Sequence, residues 1–207
     1  MALPLQPDLR PTPRWLARLL AALVLALAVL ALGVIGDARR RPAEVLLTDG
    51  HPYAYLRAVE RRIALARERV WVAMYVIYLG EDPDRAPPDD PPAALLRALA
   101  AAAARGVDVR IVLDLGRDRR TGEIEPKHVA AQTWLAANGV RVVLDELERT
   151  THVKAVVIDD RWVVMGSHNW TRAAIASNRE VSLLLDDPAL AATLAREVFA
   201  RVPGWDG

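Results

Sequence analysis

Cysteine is absent from the 207 residues. That excludes a disulfide framework, a Cys-ligated zinc or iron–sulfur site and a Cys nucleophile. It leaves the compartment open. Lysine is nearly absent: Lys127 and Lys154 are the only two among 27 basic residues. Neither sign of charge is in excess, since 27 basic and 26 acidic residues leave +1. A polybasic nucleic-acid tail and an acidic solvating tail are therefore both excluded. Aromatic residues make up 5%. No Walker loop, G-x-S-x-G or H-E-x-x-H motif occurs. What is plentiful is apolar surface, at 53%, which with 26% charged residues excludes a disordered chain. The length suits one domain of ordinary size.

The apolar content is unevenly placed. Leu19 to Gly36 (LLAALVLALAVLALGVIG) contains no charge, and extending back to Trp15 admits only Arg18. About 20 apolar residues span a bilayer core, and Arg18 can snorkel to the interface. Residues 1–36 are thus expected to be a membrane anchor or a signal segment, contacting the membrane through 15–36. Small residues around Gly36 and Ala38 offer cleavage sites. The run exceeds a usual signal core, which favours a retained anchor over export to the periplasm or outside. Three arginines on each side (Arg10, Arg14, Arg18; Arg39, Arg40, Arg41) leave the orientation undecided. Residues 37–43 form a basic linker. Without 1–36, which carry three Arg and one Asp, the remainder has 24 basic and 25 acidic residues, net −1. Phosphate must then be met by a few placed groups rather than by a basic face.

Residues 44–205 read as one α/β domain. Strands are expected at Glu44–Thr48, Val70–Leu79, Val107–Leu115, Val140–Leu144, Val153–Ile158, Trp162–Met165 and Glu180–Leu185. Helices are expected from Pro52, over Pro92–Arg105, over Pro126–Asn138 and from Asp187 to about Arg201. Val70 to Leu79 is an unbroken apolar run, as in a strand buried on both faces. Residues 81–92 (EDPDRAPPDDPP) form a surface loop. The alternation predicts a mixed, mostly parallel sheet with one hairpin, flanked by helices on both faces.

The stretch Thr151 to Glu180 carries the chemistry. His152 and Lys154, two apart on a strand, share a face. With Asp159 and Asp160 as the central pair of a hairpin turn, His152 lies opposite Ser167; a shift of one residue sets it opposite His168. Either register returns Gly166-Ser167-His168-Asn169 beside His152 and Lys154. Gly166 permits a tight turn or close approach. An imidazole, an ammonium, a hydroxyl and an amide thus converge at one sheet end. Ammonium and amide donors orient phosphoryl oxygens. A neutral His can attack phosphorus, and a carboxylate such as Glu180 can hold its tautomer.

The pattern His152-x-Lys154-x4-Asp159-x6-Gly166-Ser167-x-Asn169, with Glu180 eleven residues on, resembles the HKD signature of the phospholipase D superfamily. The resemblance extends to ARERVWVAMYVIY, AAAARGVDVRIVLD and the final helix, and covers about Glu44 to Trp205. One motif is present, as in the Nuc-type and Zucchini-type endonucleases, which build one site across a homodimer. The resemblance implies phosphodiester hydrolysis without metal or other cofactor. His152 of one subunit would form a phosphohistidine, and His152 of the other would serve as acid and then base. Lys154 and Asn169 would bind nonbridging oxygens with help from Ser167, and Glu180 would hold an imidazole. Asp159, by its parity, would order the turn. The substrate would be nucleic acid, or alternatively a phospholipid headgroup. A noncatalytic scaffold is the remaining reading, against which the intact His152 and Lys154 weigh.

Other residues carry weaker expectations. Arg117, Arg119 and Arg120 form either a phosphate-tracking patch or a solvated loop. Lys127 and His128 are expected at the surface, and His51 in a turn. His168 sits at the variable position of the motif, where it could line the entrance. Asp114 is expected to serve local structure, and Trp170 to pack rather than stack on bases.

Overall fold

The computed structural model describes residues 14–38, 43–80, 82–116, 121, 123 and 128–206, without the side chains of 14, 17 and 30–38. Arg39, Arg40, Arg41, Arg117, Arg119, Arg120 and Lys127 lie outside the described residues, so their expected roles are not described. The chain divides into two units, residues 1–41 and 42–207.

In the first unit, helix α1 spans Arg14–Ala38. The apolar run 19–36 falls within it, described in side chains only as far as residue 29. Trp15, Leu19, Leu23, Leu25 and Leu27 are exposed. Among the described residues, no helix is long and apolar enough to cross a membrane.

The second unit holds β1 (Glu44–Leu47), α2 (Ala54–Leu65), β2 (Arg69–Met74), α3 (Pro91–Ala104), β3 (Asp108–Leu113), α4 (Val129–Ala137), β4 (Arg141–Leu144), β5 (Lys154–Ile158), β6 (Trp162–Gly166), α5 (Arg172–Ala176), β7 (Val181–Asp186) and α6 (Pro188–Glu197). The strands form one sheet in the order β1-β7-β6-β5-β2-β3-β4. Only β2–β3 and β3–β4 pair in parallel; the other four pairings are antiparallel. The sheet is therefore mixed but not mostly parallel. Helical crossovers at α3 and α4 force the parallel pairs. Residues 145–153 contain no helix, so the chain leaves β4 and re-enters the sheet from the same end. From β5 onward it runs antiparallel to its neighbours.

Helices cover both faces. On one face, Val59 and Ile63 of α2, Leu95 and Leu99 of α3, Leu135 of α4 and Ile175 of α5 bury Val70, Val72, Met74 and Ile111. On the other, Ala191 and Leu194 of α6, with Phe199 and Trp205, cover Ala73, Val112, Ala155, Val157 and Val163. Three of the scarce aromatics gather there. Trp71, Phe199 and Trp205 pack edge-on or tilted, with centroids 4.9–5.7 Å apart.

Several boundaries move for identifiable reasons. The Val70–Leu79 run is not one strand. Strand β2 ends at Met74, and Ile77 makes only a single parallel bridge to Trp170. Helix α2 begins at Ala54 rather than Pro52, because Tyr53 takes a left-handed turn (φ 65°). Asp187 caps α6 as expected, accepting from the Leu190 N–H at 2.9 Å. The five-residue α5, capped by the Thr171 hydroxyl, is too short to show helical periodicity. In the hairpin, Ile158 pairs with Trp162, so three residues make the turn. Asp159 and Asp160 both have left-handed φ, 51° and 49°. Of the two registers the sequence allows, this is the shifted one, whose continuation would align position 152 with 168.

Candidate active site

The carboxyl ends of β2, β3 and β6 and the amino ends of β5 and β7 meet at one end of the sheet. Carboxyl ends of parallel strands are where such sheets present ligand sites. Lys154 opens β5, paired with Met74. It is 8% exposed, and its Nζ donates to the carbonyl of His152 at 3.0 Å. Burial lowers the ammonium below the ordinary lysine range, and the charges of Glu180 and Asp114 oppose that shift. The His152 side chain is exposed.

The backbone just before His152 is pinned by two acids. Asp114, after β3, accepts from the Thr151 N–H at 2.8 Å. Asp145, after β4, accepts from the Thr151 hydroxyl. Burial raises the Asp145 carboxyl above its usual range. Asp114 thus serves local structure as expected, and that structure presents His152.

Tyr75, the first residue beyond β2, was not singled out by the sequence. Its ring lies 4.4 Å from the His152 ring and 4.7 Å from Lys154 Nζ. One aromatic ring therefore contacts both motif side chains. Its backbone is held on two sides. The Tyr75 N–H donates to Val153 O at 2.9 Å, and His128 Nε2 bonds the Tyr75 carbonyl at 3.1 Å. The only sequence signal was an aromatic at the end of an apolar run, where packing and function look alike.

His128 is not a surface residue: it is 4% exposed, and its Nδ1 accepts from the Ile77 N–H at 3.4 Å. It fixes the segment that leaves β2. His168 does not line an entrance either. It is fully buried, stacked on Tyr55 at 4.4 Å, and bonded at 2.8 Å to both Thr48 and Ser182 hydroxyls. The Thr48 hydroxyl donates onward to Ala174 O, so His168 Nε2–H donates to Thr48. Even parity turns His168 into the core from the strand end. His51 lies exposed in a turn and Trp170 is buried against Tyr55, both as expected.

Ser167 and Glu180 face one another across the β6–β7 end. The Ser167 hydroxyl donates to a Glu180 oxygen, and Asn178 Nδ2 donates to the other at 3.1 Å. Within one chain Glu180 thus holds Ser167 and Asn178. Asn169 Oδ1 is buried and has no hydrogen-bond partner among the described residues. Gly166 fits only as glycine. A Cβ there would lie 2.3 Å from Val181 O and 2.5 Å from Ser182 Cα. Asp159 is remote from this cluster. Its carboxylate accepts from the N–H groups of Arg67, Glu68 and Arg69 at 2.8–3.1 Å. It ties the hairpin turn to the α2–β2 connection.

Residues 59–202 match the family described as "Cardiolipin synthase, PLD-like domain", and the chain belongs to that phospholipase D-like family. Among curated relatives it is 33% identical over 102 residues to the mitochondrial cardiolipin hydrolase of Chlamydomonas reinhardtii, covering 49% of this chain and 41% of the relative. It is 34% identical over 99 residues to a phospholipase D of Rickettsia conorii, covering 48% and 46%. The chain thus spans less than half the length of these two relatives. Among solved structures it is similar to Nuc of Salmonella typhimurium, a phospholipase D family member. There the identity is 25% and the TM-score 0.58, over 74% of this chain and 88% of that one.

Proposed function

We propose that this protein is a phosphodiesterase whose nucleophile is His152, acting at a site shared by two copies of the chain. The carrying observation is the pairing of an exposed imidazole with a buried ammonium against one tyrosine ring, at a sheet end that also holds Ser167 and Asn169. An imidazole nitrogen attacks phosphorus, a P–N bond forms, and the P–O bond to the leaving alkoxide breaks. The leaving oxygen takes its proton from the second copy's His152. That imidazole then removes a proton from water, whose oxygen attacks phosphorus and releases His152. Lys154 and Asn169 bind the nonbridging oxygens, so the two steps need no metal or other cofactor. Tight partnering of Glu180 by Ser167 and Asn178 suits a role in steadying the phosphate-binding turn.

The substrate proposed first is nucleic acid, supported by the single motif and by the likeness to Nuc in fold and extent. A phospholipid headgroup is the second reading. The names of the two curated relatives favour it, as does the net −1 charge of residues 37–207. Residues 1–36 act in either case as an N-terminal anchor or an export signal. Parallel assays on single-stranded DNA, RNA and phosphatidylcholine, each with and without EDTA, test this. Release from a nucleic acid that survives EDTA is expected. Cleavage of phosphatidylcholine alone would establish the second reading. Loss in EDTA that zinc or magnesium restores would overturn the metal-free chemistry.

A further inference from the structure

Helix α2 carries a basic stripe away from the catalytic end. Ala54, Arg57, Ala58, Arg61, Arg62 and Leu65 recur at helical spacing and share one face. With Glu44 and Leu184 of the sheet edge, the first five of them line a cavity of about 360 Å³. The two alanines leave the space and the three arginines border it. Arg62 is held in place, its guanidinium 3.4 Å from the centroid of the Trp162 ring. Burial, and then Arg61, lower that guanidinium from the ordinary arginine range, with Glu44 and Asp186 opposing. Arg57 and Arg61 are exposed and form no ion pair among the described residues. Asp186 is engaged by Arg161 through two bonds of 2.7 Å. Glu44 is the one acid lining the cavity, so positive charge prevails there.

We propose that this groove seats phosphate headgroups of an anionic bilayer, an inference that rests on the reading of residues 1–36 as a membrane anchor. Arginine forks match phosphate oxygens, and three observations select a lipid surface as their source. Only residues 37–43 separate the apolar run from Glu44, a reach of at most about 29 Å. That stretch also carries Arg39, Arg40 and Arg41. Leu65, on the stripe with the arginines, is 61% exposed, and Trp162 lies against Arg62. Arginine mixed with exposed leucine and with tryptophan suits the boundary of headgroups and acyl chains, whereas a nucleic-acid backbone offers leucine nothing. The groove is also separate from the hydrolytic site. Glu44 stands three residues along β1 from Leu47, whose partner Val181 accepts from the Ser167 N–H, a separation of about 10 Å. The groove therefore holds the domain on the surface and leaves the site open, whichever phosphodiester that site cleaves.

The test uses the full chain carrying His152→Ala, so that lipid and nucleic acid stay intact. The absence of cysteine lets Ala64→Cys, beside the stripe on α2, and Ala192→Cys, on α6 across the sheet, each carry a single fluorophore. Vesicles of phosphatidylcholine, with or without phosphatidate, include a nitroxide lipid that quenches at headgroup depth. Phosphatidate is expected to increase quenching at A64C and not at A192C. Arg57→Gln/Arg61→Gln, checked for folding by circular dichroism, is expected to lose that increase. Arg67→Gln/Arg85→Gln, an equal loss of exposed charge outside the groove, is expected to keep it. Equal quenching with and without phosphatidate would overturn the inference. Abolition of the increase by submillimolar inorganic phosphate would make the ligand a free anion and overturn it too. Binding of a single-stranded oligonucleotide that needs Arg57 and Arg61, without any quenching increase, would make the groove a nucleic-acid track instead. Vesicle flotation tests the anchor separately. A parent chain that floats only with phosphatidate vesicles, and not at all as R57Q/R61Q, keeps the groove and removes the anchor; one that floats with neither vesicle overturns both.

Discussion

Asp159 gives its name to part of the motif, yet its geometry assigns it to folding rather than chemistry. Its Oδ1 accepts from Arg67, Glu68 and Arg69, and its Oδ2 from Arg67, all at 2.8–3.1 Å. Asp159→Ala removes acceptors for three backbone donors. At about 1 kcal/mol for each hydrogen bond near solvent, that costs roughly 3 kcal/mol. Ala in the left-handed region, where Asp159 sits at φ 51°, adds about 1–2 kcal/mol. The total, about 4–5 kcal/mol, is a large share of an ordinary domain's stability. Asp159→Asn keeps both the tolerance for positive φ and an oxygen at the Oδ1 position. It loses charge assistance and the second contact to Arg67, for about 1–2 kcal/mol. Urea denaturation monitored by tryptophan fluorescence gives both values. Turnover of bis-p-nitrophenyl phosphate is measured on the folded fraction under stabilising conditions. The expected result is a lowered midpoint in the order wild type, Asn, Ala, with turnover per folded molecule unchanged in the Asn variant. Loss of turnover in D159N at unchanged stability would refute the assignment.

Tyr75→Phe is expected to retain turnover, because the ring makes the contacts with His152 and Lys154. Tyr75→Ala is expected to lower it about tenfold, the equivalent of about 1.4 kcal/mol of lost ring contact; equal rates in the two variants would contradict this. Burial lowers the His168 imidazole below its usual range, with Glu180 opposing. The unfolded chain therefore binds that proton at a pH where the folded chain does not. Stability contributed by neutral His168 is complete above about pH 6.5 and is lost below it, by up to about 1.4 kcal/mol per pH unit. Melting temperature should fall with acidification in the wild type and more gently in His168→Gln, and parallel slopes would remove His168 as the cause.

Most of the site was legible because its residues are local in sequence. The spacing of His152, Lys154, Gly166, Ser167 and Asn169 needs only a hairpin to bring them together. Asp159's parity already pointed away from substrate. The register was not legible, since a two-residue and a three-residue turn both fit Asp159-Asp160-Arg161. What decided it was the left-handed conformation of both aspartates, stabilised for Asp159 by contacts with Arg67, Glu68 and Arg69, some ninety residues away. Strand direction was not legible, because alternating elements imply crossovers and residues 145–153 supply none. His128 and His168 look alike in sequence to any surface histidine. Their burial depends on partners from other elements: Tyr75 and Ile77 for one, Thr48, Ser182 and Tyr55 for the other. The Asp114–Thr151–Asp145 clasp likewise joins three strand ends that only the folded sheet brings together.

His152→Ala, assayed with bis-p-nitrophenyl phosphate beside the wild type and shown by circular dichroism to be folded, addresses the histidine nucleophile most directly. The exposed position of His152 makes a folded variant the expectation. Hydrolysis is predicted to vanish while the fold persists. Unchanged turnover in the folded variant would contradict the account.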